Sequence, residues 1–203
     1  PFLRLLEACM YTEGAGGIIF ASEKKTHEIC ERTGQPPIWI KGVGAANEAY
    51  ATGRGSYYKP LDRIVSDRLA AERAYAMAGV TPSDIQIVEL HDAFVAQLMI
   101  TMGEIGFVPI GKTRQLIDDG IMADIRQLGD DKRPPKGQVL INPSGGLIFG
   151  GHFVGGSNMF SMWSLRREMI NRQLELGMIH GTGAINAVFG GAMVVELDKG
   201  GVK

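Results

Sequence analysis

The chain has 203 residues, enough for about one domain to one and a half. Apolar residues make up 45% and charged residues 21%, so the chain can bury a core and is not of disordered composition. Lys plus Arg numbers 21 against 22 for Asp plus Glu, a net charge of -1, which gives no electrostatic footprint for nucleic acid or for an anionic membrane. No apolar run reaches the ~18 residues of a membrane helix. The first twenty residues carry Arg4, Glu7 and Glu13, so they do not read as a secretory signal. The two cysteines, Cys9 and Cys30, are too few for a disulfide scaffold or a four-cysteine zinc site, and a reducing, cytoplasmic setting is expected. Glycine is abundant, at 28 residues, and set among apolar runs, which points to backbone packed closely around a site rather than to a linker. A start at Pro1 followed at once by apolar residues reads as a processed or partial polypeptide.

In chain order, the apolar, β-branched run 16–21 predicts a buried strand. Ser22 can cap a following helix that runs to about Arg32 and stops at Gly34. After Pro36 and Pro37, residues 38–43 predict a second strand, and 44–60 a loop. Leu69, Ala70, Ala74, Met77 and Ala78 recur at helical spacing, so 67–78 predicts a helix ended by Gly79. A turn at 81–84 leads to a strand over 85–90, and Asp92 is placed at the start of a helix running to about Ile105. Residues 111–131 read as a short helix plus loop, and 139–142 as a strand. The glycine pairs at 145–146, 150–151 and 155–156 read as a loop. A long amphipathic helix is expected over 157–176, with Met159, Trp163, Ile170 and Leu174 inward and Arg166, Arg167 and Glu168 toward water. Strands over 178–185 and 190–197 close the pattern. Alternating strands and helices imply an α/β fold, a layered sheet with helices on both faces.

Three of the four histidines sit where chemistry is commonly placed. His91 ends a strand just before a helix, at the carboxyl edge of a sheet, where α/β proteins bind ligands. A helix start there would favour a neutral imidazole that can donate one hydrogen bond and accept another. The competing reading is that His91 merely caps the helix. His152 lies inside a run of glycines, whose backbone can approach a bound group closely. His180, followed by Gly181 and Gly183, is either functional or a histidine satisfied at a strand edge. His27 reads as a solvated surface residue. The three spaced histidines form no metal signature, Gly42-Val43-Gly44 lacks the rest of a dinucleotide fingerprint, and there is no serine nucleophile elbow or phosphate loop.

Four stretches occur in a telling order: Glu89-Leu90-His91-Asp92-Ala93-Phe94, then Asn142-Pro143-Ser144-Gly145-Gly146, then Gly150-Gly151-His152, then Gly190-Gly191-Ala192. Together they resemble the carboxy-terminal half of the thiolase superfamily, most closely the sterol-carrier-protein-type branch. Glu13-Gly14-Ala15 through Ser22-Glu23 resembles the last strand of the family's amino-terminal half. The resemblance implies a thiolase-like layered α-β-α-β-α fold, with residues 1–34 ending the amino-terminal half and 35–203 forming the carboxy-terminal domain. It implies that His91 replaces an Asn that positions water in an oxyanion hole. By the same resemblance His152 is the histidine that polarises the thioester oxygen, and His180 falls near the family's acid/base cysteine. Phe94, Ser144, Gly151 and Gly183 are the implied substrate-binding positions. Coenzyme A is implied as substrate, with no other cofactor.

The departures from the family are equally specific. The nucleophilic cysteine belongs to the amino-terminal half, and neither Cys9 nor Cys30 stands in a matching context. Phe153 replaces the proline after the histidine. The expectation is a carboxy-terminal part of an enzyme that makes or cleaves a carbon–carbon bond of a CoA thioester, inactive alone. The implied partners are an amino-terminal half or sister chain, in a homo- or hetero-oligomer, with a zinc-ribbon/OB-fold companion a further implication. The rivals are a retro-aldolase acting on a β-hydroxyacyl-CoA, with Tyr57 or Tyr58 as base, and a non-catalytic thiolase-like subunit.

Overall fold

A computed structural model describes residues 4–48, 62–129, 131–183 and 187–198. Tyr57 and Tyr58 lie outside the described residues. One five-stranded sheet organises the chain. Its strands are β1 (Ile38–Asn47), β2 (Ile87–Glu89), β3 (Leu140–Ile141), β4 (Leu176–Gly183) and β5 (Phe189–Leu197), in the order β1-β5-β4-β2-β3. β5 runs antiparallel to both its neighbours, while β3 and β4 flank β2 in parallel.

Helices cover both faces of the sheet, as the alternation of strands and helices predicts. Successive strand residues point to opposite faces. Val88, Met178 and Val194 join a core with Ala70, Ala74 and Tyr75 of α2 (Val65–Ala78) and Met102 of α3 (Val95–Glu104). Ile87, Ile179 and Val195 join a second core with Leu165 and Met169 of a later helix, Ser157–Arg172. Each fully buried aliphatic side chain contributes roughly 1.5–3 kcal/mol through loss of water-exposed surface.

The seat of α2 explains glycines that carry no ligand motif. Ser66, Ala70 and Ala74 recur every four residues and so share one helix face. That face lies on Gly190, Gly44 and Gly42, and a Cβ at Gly44 or Gly42 would collide with the carbonyls of Ala70 and Ala74. Small residues on both sides let helix backbone touch sheet backbone.

Several expectations are corrected. The run 16–21 forms no strand: it has no pairing partner among the described residues, and Ile19 and Phe20 are 90% and 65% exposed. β propensity alone cannot hold a strand without a neighbouring ladder. The helix after it, α1 (Glu23–Thr33), does form, capped by Ser22 and ended by left-handed Gly34. β1 extends to Asn47, into the region expected as loop, because it pairs with β5 along its length. The mixed stretch 111–131 holds two single turns, α4 (Gln115–Asp118) and α5 (Ile125–Leu128). The first glycine pair opens a short helix, α6 (Gly146–Gly150), rather than a loop.

The long helix α7 (Ser157–Arg172) ends at left-handed Gln173, and β4 starts at Leu176. Its buried face is Ser164, Leu165, Glu168, Met169 and Arg172, while Trp163 is 55% exposed. Glu168 is drawn inward by Arg172, whose guanidinium donates to it at 2.8 Å and also to the carbonyls of Gly129 and Lys132. A hydrophobicity count does not see that a paired charge can be buried. Among the described residues no helix is long and apolar enough to cross a membrane.

Candidate active site

Parallel strands end at the same edge of a sheet, and here that edge assembles the site. β2 delivers Glu89, Leu90 and His91, β3 delivers Asn142, and the pairing of Glu89 with Ile179 sets His180 of β4 level with Leu90. The carboxyl edge of such strands is where open α/β sheets place ligands.

The two predicted motifs on β2 and β3 interlock. Asn142 adopts a left-handed φ of 44°, which Asn tolerates better than most residues. Its side chain brackets Leu90, accepting from the Leu90 N–H at 2.6 Å and donating to the Leu90 carbonyl at 3.1 Å. Glu89, fully buried, accepts from the Ser144 N–H at 3.2 Å, the Ser144 hydroxyl at 2.7 Å and the Ser164 hydroxyl at 3.3 Å. Burial pushes the Glu89 carboxyl up to about 7, against the opposing pull of the Ser144 and Ser164 hydrogen bonds.

Asp92 does not start α3, which begins three residues later at Val95. Its carboxylate instead accepts from the Leu147 N–H at 2.6 Å, and Gly146 has no side chain because that carboxylate occupies the space. His91 is therefore not a helix cap. It sits in a turn clamped on one side by Asn142 and on the other by Asp92.

His91 meets His152 edge to face, with ring centroids 5.1 Å apart and planes at 85°. The His91 imidazole is held down to about 4, first by burial and then by the proximity of the imidazoles of His152 and His180, beside which a second positive charge would be repelled. Neutrality was expected from a helix start; the structure supplies it by desolvation. Burial also lowers His152. Its Nδ1 lies 2.8 Å from the Ser157 hydroxyl, which donates to the Phe153 carbonyl at 3.1 Å. With the Ser157 proton so used, the network assigns the His152 proton to Nδ1 and leaves Nε2 as an acceptor.

The backbone of His152 is pinned by the stretch 10–12, donating to the Met10 carbonyl at 2.9 Å and accepting from Thr12 at 3.0 Å. Tyr11 stacks on its ring at 5.5 Å. Gly151, at φ 85°, admits Thr12 where a Cβ would meet it at 2.6 Å.

The remaining predicted positions fall in different roles. His180 is fully buried, with Nε2 3.0 Å from Asp67 Oδ1. The Ser144 hydroxyl donates to Glu89 and accepts from the Gly146 N–H at 3.0 Å, which makes it part of the loop framework. Phe94 is 46% exposed at the start of α3, bridged to Ala8. Gly183 ends β4 beside open space. Cys9, next to Ala93, has its thiol pushed up by burial and by Asp92, so it is not an activated thiolate. Cys30 is buried in α1.

Sequence reasoning missed Asn142, Glu89, Asp67, Ser157 and Tyr11 as parts of the site. Glu89 left a signal, a carboxylate in the apolar strand 85–90. Asp67 left none, since its partner lies on a strand far away in the chain.

Comparison with known proteins agrees with this fold. The chain is 32% identical over 212 residues to sterol carrier protein 2 of Oryctolagus cuniculus, covering 98% of this chain and 35% of that protein. It is 31% identical over 196 residues to the acetyl-CoA acetyltransferase of Methanothermobacter thermautotrophicus, covering 92% of this chain and 46% of the relative. It is 30% identical over 159 residues to the 17-hydroxy-3-oxo-4-pregnene-20-carboxyl-CoA lyase of Mycobacterium tuberculosis, covering 77% and 36%. The chain thus spans between about a third and a half of these relatives' lengths. Among solved structures, the Ltp2-ChsH2(DUF35) aldolase shares the fold, with TM-score 0.60 and 22% identity over 81% of this chain and 41% of that one. Residues 64–192 match the model of the thiolase C-terminal domain-like family, and the chain belongs to that family, in its sterol-carrier-protein and acetyl-CoA acetyltransferase branch.

Proposed function

We propose that this chain is the carboxy-terminal part of an enzyme that makes or breaks a carbon–carbon bond of a CoA thioester. The observation that carries the reading is the contact of His91 with His152, two desolvated imidazoles at one sheet edge. Carbon–carbon chemistry next to a thioester develops negative charge on the thioester oxygen. Neutral imidazoles in a dry, preorganised site can donate a hydrogen bond to that oxygen or take up the proton released. Residues 1–34 would complete the amino-terminal half, in keeping with the pinning of His152 by the stretch 10–12. Another thiolase half, in the same polypeptide or in a sister chain, would supply the rest of the pocket. A zinc-ribbon/OB-fold companion would fit with the solved Ltp2-ChsH2(DUF35) aldolase being named for two components.

A second reading is favoured by the absence of a cysteine near His180, where the resemblance to thiolases would place the acid/base residue; the two cysteines are Cys9 and Cys30. In that reading the enzyme cleaves a β-hydroxyacyl-CoA by a retro-aldol step without acyl transfer to cysteine, which is compatible with one relative being named a lyase of a hydroxylated CoA ester and a structural neighbour an aldolase.

The test uses the complete polypeptide that carries this chain, with any companion it purifies with. Acetoacetyl-CoA plus free CoA assays thiolysis, and a β-hydroxyacyl-CoA without free CoA assays retro-aldol cleavage. His152→Ala should lower the active reaction about 100-fold. Activity retained within threefold contradicts the site, and dependence on free CoA decides between the two reactions.

A further inference from the structure

Asp67 and His180 stand apart from every other charged pair of the described residues in being completely enclosed. Both side chains are 0% exposed, with Nε2 of His180 3.0 Å from Oδ1 of Asp67. The approach lies off the axis of a hydrogen bond. Oδ1 and both ring nitrogens of His180 consequently have no hydrogen-bond partner among the described residues. The other carboxylate oxygen is committed, since the Thr101 hydroxyl of α3 donates to Oδ2 at 2.8 Å.

Such an arrangement is costly: each unsatisfied buried polar group costs roughly 1–3 kcal/mol, and an apolar pair of similar volume would be tolerated or better. Core packing alone does not account for it. Its position does. Asp67 is in the first turn of α2, where the backbone N–H groups favour a carboxylate, and His180 is level with Leu90, one residue from His91. His91 feels both groups, with opposite sign.

We propose that Asp67 is a positioning residue for the reaction assigned above: it holds His180 as the Nε2–H tautomer and lends its negative charge to the His91–His152 pair while that pair carries a proton. A carboxylate attracts a donor, so the ring proton is favoured on the nitrogen 3.0 Å from it even though the contact lies off the hydrogen-bond axis. In that tautomer Nδ1 is an acceptor, and it too is enclosed without a partner among the described residues. In cleavage the proton taken from the substrate hydroxyl or from the CoA thiol rests on His91 or His152, is offset there by the Asp67 charge, and passes to the enolate carbon of the departing acyl-CoA, which restores the neutral pair. Thr101 keeps the carboxylate from turning away. The inference rests on the reading of His91 and His152 as the reacting pair.

Asp67→Asn in the complete polypeptide tests it, since the amide is nearly isosteric but neutral and can present a donor to the ring. The expected result is a fall in kcat of about 10- to 100-fold with KM within threefold, the range found for partners that orient catalytic or metal-bound histidines. With it, nitrogen-15 NMR of ring-labelled histidine should show His180 moving from the Nε2–H to the Nδ1–H pattern. A kcat retained within threefold, an unchanged His180 pattern, or a KM that rises in step with the loss of kcat overturns the proposal. Where Asp67→Asn does not fold, Thr101→Val carries the test: kcat falls threefold or more and the His180 signals shift, whereas unchanged kcat and signals overturn it. The NMR readout needs no turnover, so failure here is distinct from failure of the site reading, which shows as His152→Ala activity retained within threefold.

Discussion

Asn142 holds Leu90 by both its backbone groups, accepting from the N–H at 2.6 Å and donating to the carbonyl at 3.1 Å. The next residue, His91, therefore leaves β2 in a fixed direction, and the loop after β3 is tied to the turn after β2. Asn142→Ala would leave two backbone groups unpaired and put a β-carbon without a polar side chain at φ 44°. A loss of about 2–4 kcal/mol is expected by denaturant titration, with activity falling alongside. Asn142→Asp, which keeps the acceptor but turns an oxygen toward the Leu90 carbonyl and beside the Asp92 carboxylate, should cost at least as much. Equal stability of Asn142→Ala and wild type would show that the clamp does nothing.

Two buried groups at this edge should give the protein opposing pH dependences. His91, held down to about 4 from an ordinary 6.5, leaves the unfolded chain binding the extra proton between those values. Its contribution is present above pH 6.5 and is lost as pH falls toward 4, by up to about 3 kcal/mol. Glu89, pushed up to about 7 from 4.5, keeps a proton in the folded state that the unfolded chain releases. Its contribution is present below pH 4.5 and is lost as pH rises through 7. In wild type the two largely offset each other between pH 4.5 and 6.5. Glu89→Gln should therefore make stability rise with pH across this range, and His91→Gln should make it fall. Denaturant midpoints at pH 5 and 6.5 check the signs, and parallel profiles for the two variants would contradict the assignment.

The contact of α2 with the glycines of β1 and β5 predicts a sharp steric limit. Gly44→Ala directs a methyl into the Ala70 carbonyl and should destabilise by about 1–3 kcal/mol in thermal or denaturant unfolding. Gly17→Ala, with open space around it, should stay within about 0.5 kcal/mol of wild type. Similar losses for both variants would mean that the helix does not lie where the glycines place it.

The fold was legible in the sequence where local signals and burial agree. A helix over 67–78, the run 85–90 and Gly79 each matched an element or its end, because a left-handed glycine acts locally, although the expected stripe is only partly inward: Met77 is 62% exposed while Ser66 and Asp67 are buried. The run 16–21 misled because its apolar residues suit a strand whose partner is not among the described residues. The inward face of α7 misled because Arg172 brings Glu168 into the core with it. Within the site, His91 and His152 announced themselves by their place among strand ends and glycines. Asn142 stands in a stretch that marks the family resemblance, yet nothing local shows that it brackets Leu90, and Ser157 and Asp67, which face His152 and His180, are polar residues in ordinary contexts. Parallel pairing of β2 with β3 and β4 brings Asn142 and His180 to the edge of His91, while α2 and α7 carry Asp67 and Ser157, and register and packing over such distances leave no mark on local sequence.

The most direct measurement is a double-mutant cycle on turnover by the complete polypeptide, with His91→Ala, His152→Ala and the pair together. If the two rings act on one oxygen and one proton, each single substitution lowers kcat about 100-fold and the double variant is little worse than either. Single variants that keep activity within threefold, or losses that multiply as for independent sites, would contradict a shared role for these two histidines.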